Sequence, residues 1–408
     1  MVDVAVSLFT IAFIIALGFF ADIFFNKTRI PDVIWLLFFG IFIGSVLKIV
    51  NQESLFSIAP LFTAVAIAII LFESGRKMKF KELLKDAPSA TLFMFLNLVM
   101  STLLVALGGR FLLGMEFETA LLLGVIVAGT SSPMIVTIVD RLGVKNKIKT
   151  IMSIESIINS PLVIVVGLVL MESIASPLSI LSFRSISSNI VLSFAVSIMV
   201  GIIVGVAWAK VLVNLQKYKY HHLMTISILF FVYILSQYLG GSGAMAALVM
   251  GITLGNYSSF FKHTKKKVVV FTKETKDFNE IIAFMVRTFF FVFIGAVANL
   301  TDFRAIGLGL IITLFLLAAR FMVVYPTTLL LKLSRREMLT MGFMIPTGLS
   351  AAVLAILPYA QYKIAGTENF VDVVFTIILA TTIFATVSMG IVEYTYDRVI
   401  KRKRDISH

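Results

Sequence analysis

The sequence has 408 residues, of which 59% are apolar and only 14% charged, and its mean hydropathy is +1.02. A water-soluble globule has no interior for that much apolar surface, and about a quarter of a soluble domain is charged. The balance excludes a soluble enzyme, a disordered chain and, with no Cys, a disulfide-framed secreted domain. The net charge of +13 is read as basic loops on one side of a membrane, with no soluble segment left to bind nucleic acid.

A membrane-spanning helix needs about 20 mostly apolar residues. Taken in chain order, that rule predicts spans near 4–25, 31–50, 55–75, 90–114, 118–140, 150–173, 189–214, 221–240, 243–258, 280–300, 304–331, 338–361 and 369–393, thirteen in all. The runs lack the ten-residue alternation of an outer-membrane barrel, so the fold class is an all-α polytopic membrane protein. The first span has no charged leader or cleavage site and is expected to be retained. Loop charge gives an independent check. With the N-terminus outside and the C-terminus cytoplasmic, 28 of the 35 Lys and Arg fall in cytoplasmic loops and 5 outside, while Arg287 and Arg320 lie within spans. The expected place is the cell membrane, crossed many times. The basic tail after Glu393 is expected to touch anionic membrane lipids. No soluble regulatory domain is expected, so function must lie in the bundle.

Broken helices and buried charge are costly in lipid and therefore informative. Span 5 is interrupted by Gly129-Thr130-Ser131-Ser132-Pro133, and span 12 by Ile345-Pro346-Thr347-Gly348-Leu349-Ser350. One such break reads as a proline kink. Two breaks seven spans apart place equivalent interruptions in two inverted six-helix repeats, about 4–173 and 221–393, with 189–214 as linker. Paired interruptions of this kind point to a transporter's site near the midplane. The half-helix ends, with the carbonyls and hydroxyls of Thr130, Ser131 and Ser132, suit a small cation better than a large organic substrate.

Span 6 carries Glu155-Ser156 and Asn159-Ser160, which share one polar stripe at i,i+4 spacing. Glu155 is expected to pair with Arg287 as a structural ion pair, its other reading being an ion-binding acid. Glu73 is either an interfacial carboxylate beside Arg76 and Lys77 or a titratable group bordering an ion path. Arg320 is expected to hold carbonyls of a broken helix, with Pro133, Pro346, Thr347 and Gly348 supporting the breaks. Asp22 and Asp140 are expected to be solvated. His221, His222, His263 and His408 show no metal-ligand spacing. No cofactor and no intramembrane hydrolase is expected.

Together these motifs resemble the monovalent cation:proton antiporter superfamily, the sodium/proton exchangers, over nearly the whole chain. Arg29-Ile30-Pro31-Asp32 with Gly40 and Gly44 resembles the family's second helix, and Phe72-Glu73-Ser74-Gly75 the end of its third. Gly243-Ala244 with Gly251 resembles the ninth, and Arg287 with Phe290, Phe291 and Gly295 the tenth. Ser131-Ser132-Pro133 stands where the family has Thr-Asp-Pro, Asn159-Ser160 where it has Asn-Asp, and Pro346-Thr347-Gly348 where it has Pro-Arg-Gly. The resemblance implies a homodimer, each protomer having a dimerisation domain and a six-helix core that moves like an elevator. It also implies exchange of Na+ or K+ for H+ by alternating access. Thr130, Ser131, Ser132, Ser156, Asn159 and Ser160 then become oxygen ligands and Glu73 supplies the charge. A serine does not titrate in a useful range, so the alternative is the same fold without proton coupling: a cation uniporter, a leak or a transport-inactive variant.

Overall fold

The computed structural model describes residues 4–28, 30–47, 52–78, 80–141, 146–175, 183–215, 218, 220–260 and 273–406. Fifteen α-helices are present among them. They are α1 (Val4–Thr28), α2 (Asp32–Ile41), α3 (Gln52–Lys77), α4 (Phe80–Leu112), α5 (Phe117–Val127), α6 (Ser132–Arg141), α7 (Asn146–Ala175), α8 (Phe183–Leu215), α9 (His221–Tyr238), α10 (Gly243–Phe260), α11 (Lys273–Val297), α12 (Phe303–Leu331), α13 (Arg335–Phe343), α14 (Leu349–Ala360) and α15 (Phe370–Ile406). A π-helical turn, Phe42–Val46, prolongs α2.

The thirteen predicted spans therefore appear as eleven single helices and two made of halves, α5 with α6 and α13 with α14. By length and composition alone, six helices are long and apolar enough to cross a membrane. The half-helices have 9–12 residues, about 14–18 Å at 1.5 Å per residue, or roughly half a hydrocarbon core. Several helices overrun their predicted bounds. α4 starts at Phe80 rather than near 90, α11 at Lys273 rather than near 280, and α15 runs to Ile406. Hydropathy marks only the part of a helix that lipid can hold, whereas backbone hydrogen bonding continues into the polar flanks.

The helices gather into two packed groups. One comprises α4–α7 with α12–α15, the other α1–α3 with α8–α11, and they meet chiefly where α3 lies against α7 and α14 and α11 lies against α14. Within the second group a symmetrical device recurs. Gly40-x-x-x-Gly44 on α2 packs against α11, and Gly251-x-x-x-Gly255 on α10 packs against α3. These contacts join predicted span 2 to span 10 and span 9 to span 3 through the small-residue motif that lets backbones touch in lipid. A Cβ on Gly40 would collide with the Val292 carbonyl oxygen, and one on Gly251 with that of Phe72. Gly251→Val is therefore expected to cost about 3 kcal/mol through overpacking, read as a lowered thermal midpoint in detergent. Gly307→Ala, at a glycine with open space around it, should leave the midpoint unchanged.

Candidate ion-binding site

α5 ends at Val127, and after Gly129 the chain is extended until α6 begins at Ser132. Pro133 lies in the first turn of α6, where a missing N–H costs nothing. The break thus lies upstream of the proline, not at it. On the other side, α13 ends at Phe343 and α14 begins at Leu349 after the Pro346-Thr347-Gly348 stretch. The two stretches cross as an antiparallel bridge between Thr130 and Thr347. The Ser131 N–H donates to the Pro346 carbonyl at 2.8 Å, and the Thr347 N–H to Thr381 Oγ1 of α15 at 3.1 Å. Non-helical backbone is tolerable at membrane depth only when satisfied in this way.

α7 braces the crossing with three members of its polar stripe, Ser156, Asn159 and Ser160, while Glu155 turns elsewhere. Asn159 Nδ2 donates to the Ala128 carbonyl at 3.0 Å and to Thr130 Oγ1 at 3.3 Å. Ser160 Oγ donates to the Thr130 carbonyl at 2.8 Å, Ser132 Oγ to the Ser156 carbonyl at 2.6 Å, and Ser156 Oγ to the Ser153 carbonyl at 3.1 Å. Each hydroxyl spends its proton on a carbonyl, so its lone pairs stay free to accept a cation. Asn159 Oδ1 and Ser350 Oγ are buried without a hydrogen-bond partner among the described residues.

Below the crossing lies a chamber of about 340 Å³ between α3, α6, α7, α11 and α14. Ser131, Ser132, Ser160 and Ser350 line it, together with Glu73 from the facing group. Thr130, Ser156 and Asn159 are buried behind that row. Glu73 does not face the chamber alone. Arg76 Nε donates to its carboxylate at 2.8 Å, Arg76 Nη2 adds a second contact, and Lys77 Nζ lies 3.2 Å away. Glu280, Lys77 and Arg287 also line the chamber.

The expected Glu155–Arg287 pair is not formed. Glu155 is held instead by Arg320, with Nη1–Oε1 at 2.6 Å and Nη2–Oε2 at 3.0 Å, both side chains being 0% exposed. Arg320 Nε donates to the Met341 carbonyl at 2.9 Å, its guanidinium lies 4.7 Å from the Phe93 ring centroid, and Asn97 Nδ2 reaches Glu155 Oε1 at 3.4 Å. The physical reason is the group boundary. Glu155 on α7 and Arg320 on α12 point into one packed interior, whereas Arg287 on α11 faces α2 and pairs with Asp32 at 3.0 Å. The fork of Arg320 both neutralises the acid and ties down the last turn of α13.

Four contributors to the site were missed in the sequence. Glu280, near the polar start of α11, lines the chamber. Asp32, which follows Pro31 at the start of α2, is the partner of Arg287. Ser350, already in the quoted motif, opens α14. Thr381, beside Thr382 in the otherwise apolar middle of α15, is a visible polar interruption.

Comparisons with known proteins bear on the family and the fold. The chain is similar to a low-affinity Na(+)/H(+) antiporter, NhaS1 of Synechocystis, with 24% identity over 86% of this chain and 67% of the relative. It is also similar to a K(+)/H(+) antiporter, NhaP of Alkalimonas amylolytica, with 23% identity over 49% of this chain and 35% of that protein. The chain thus spans about two thirds of the first and about a third of the second. The solved sodium proton antiporter MjNhaP1 from Methanocaldococcus jannaschii shares the fold, with a TM-score of 0.80 over 95% of this chain and 97% of that one at 21% identity. The family described as sodium/hydrogen exchanger, transmembrane, matches residues 9–392, and the chain belongs to it.

Proposed function

We propose that the chain is a secondary antiporter that exchanges Na+ or K+ for H+ by alternating access, working as a homodimer with its N-terminus outside. The observation that carries this reading is the chamber at the crossing of the two broken helices, an oxygen-lined space whose wall also carries the carboxylates of Glu73 and Glu280. Ser131, Ser132 and Ser160 offer hydroxyl lone pairs to a bare cation, with Thr130, Ser156 and Asn159 completing the oxygen set. Glu73 supplies the charge. Ionised, it balances a bound cation; protonated, it lets the empty site return. Hydroxyl and carbonyl oxygens serve Na+ and K+ alike, and the relatives include antiporters named for each. The division into two packed groups, with the crossing in one and Glu73 in the other, supports an elevator in which the crossing group slides. Loop charge supports the orientation.

A second reading, the same fold without proton coupling, is favoured by one observation: Glu73 already shares its charge with Arg76 and Lys77. Proteoliposomes with an acidic lumen and an internal pH dye separate the two, with Na+ and then K+ added outside. Coupled exchange alkalinises the lumen, while an uncoupled chain leaves the dye unchanged and passes cation under an imposed voltage. Ser160→Asp adds a carboxylate to the chamber wall. An added charge at about 4 Å gives about 1–4 kcal/mol of attraction, according to how wet the site is, so apparent cation affinity should rise about fivefold or more. If Ser160→Asp alone moves protons, the uncoupled reading holds for this chain.

A further inference from the structure

α3 borders two chambers. Its residues Ile70, Glu73, Ser74 and Lys77 face the one described above, while Pro60, Thr63, Ala64 and Ile67 face a second, of about 500 Å³. The other walls repeat the division. α7 contributes Ile157 and Ser160 to the first and Leu168 and Glu172 to the second; α14 gives Leu349 and Ser350 to the first and Leu357 to the second. The chambers therefore sit at opposite ends of one seam between the two packed groups. Fully buried Ile164 of α7 and Val353 of α14 fall between them in sequence.

The second chamber is built from oxygen. Glu172 on the last turn of α7 meets the hydroxyl of Tyr362, which donates to it, and Tyr233, Gln237 and Ser242 complete the wall. Among the described residues, no basic side chain lines it. Lys363, next in sequence to Tyr362, holds its ammonium 5.5 Å from the Tyr359 ring centroid. Among the described residues Glu172 has no ion-pair partner. The rim is fixed by serines, with the Ser242 N–H donating to Ser197 Oγ at 2.7 Å and Ser236 Oγ donating to the Ser242 carbonyl at 3.2 Å. A second feature is independent of the carboxylate. Thr63 is 0% exposed, and its Oγ1 has no hydrogen-bond partner among the described residues. A buried hydroxyl in that state costs about 1–3 kcal/mol unless something occupies the space beside it.

We propose that this second chamber binds an alkali cation, Na+ or K+, between Glu172 and Thr63, as a site separate from the one at the helix crossing. Twelve residues of α7 divide Glu172 from Ser160, about 18 Å along the helix, too far for one ion to serve both. The donors are all hard oxygens and the charge is a single carboxylate, which balances a monovalent ion. A divalent or transition metal wants more acidic or nitrogen ligands, and no cluster of three such groups occurs among the described residues. The choice of an alkali cation rests on the transport reading above, so the test reads binding directly.

The purified full chain in detergent is dialysed against radioactive sodium or rubidium, with choline chloride holding ionic strength constant. The unaltered chain should hold one more ion than Glu172→Gln. Tyr362→Phe, which keeps the carboxylate, should keep that ion. Thr63→Val decides the matter. It removes a hydroxyl that bonds nothing among the described residues, so the thermal midpoint should hold or rise while affinity at this site falls about tenfold. Unchanged ion count and affinity in both Glu172→Gln and Thr63→Val overturn the proposal. If Glu172→Gln does not fold, unchanged affinity in Thr63→Val overturns it alone. A chain that binds the Glu172-dependent ion yet never moves protons retires the antiport reading and leaves this site standing.

Discussion

Arg320→Met is expected to destabilise the chain by about 3–5 kcal/mol, the cost of leaving a buried carboxylate without its partner. Glu155 lies at 0% exposure with two Arg320 contacts, and its remaining neighbour, Asn97 at 3.4 Å, cannot neutralise it. In detergent this should appear as a large drop in thermal midpoint, with much of the protein lost to aggregation. Glu155→Gln should do similar damage from the other side. The double variant Glu155→Gln/Arg320→Met buries no unpaired charge and should recover part of the loss. Recovery is incomplete because Arg320 also holds the Met341 carbonyl and covers the Phe93 ring. Asp32→Asn breaks a pair whose side chains are 13% and 22% exposed, where water screens the orphaned charge, so its cost should be smaller. A wild-type melting curve for Arg320→Met would sink this account of the core.

Glu73→Gln is expected to reduce cation-driven proton movement to the background of empty liposomes while the protein still folds. Glutamine keeps the shape and loses the charge. The ion pairs given up are helical i,i+3 and i,i+4 contacts with Arg76 and Lys77, each worth a few tenths of a kcal/mol on an open helix and somewhat more here. A cation about 4 Å from the carboxylate loses about 4 kcal/mol of attraction at an effective dielectric near 20, about three orders of magnitude in affinity. The loss should be the same for Na+ and K+, since charge rather than cavity size is removed. Sodium-driven alkalinisation that persists in Glu73→Gln would transfer the coupling role to another group and dismiss this assignment.

The spans and the crossing were legible in the sequence because lipid enforces them. Long uncharged runs mark helices, and Gly129-Thr130-Ser131-Ser132-Pro133 and Ile345-Pro346-Thr347 cannot be read as unbroken ones. The i,i+4 spacing set Asn159 below Glu155 and Ser160 below Ser156 in one polar stripe, and Asn159 and Ser160 both meet Thr130. The partner of Glu155 was not legible. Two arginines lie within spans, and which one turns toward α7 depends on how α11 and α12 pack, a long-range outcome that local spacing does not encode. Residue counting favoured Arg287; the packing chose Arg320. The partners of Glu73, by contrast, follow from helix periodicity alone. Helix ends such as Phe80 and Lys273 were misjudged because an apolarity rule stops at the lipid boundary.

The division of the chamber's wall between two groups of helices has a further consequence. The serine oxygens ride with α6, α7 and α14, while the carboxylate of Glu73 belongs to α3. If those groups slide past each other, the ion's coordination sphere is complete at one point of the stroke and incomplete at the other. Electrostatic attraction weakens with separation, so a displacement of a single helical turn, about 5.4 Å, would loosen the hold on the cargo without any change in its ligands. Such an exchanger grips on one side of the membrane and lets go on the other, with unequal Michaelis constants at its two faces built into the geometry.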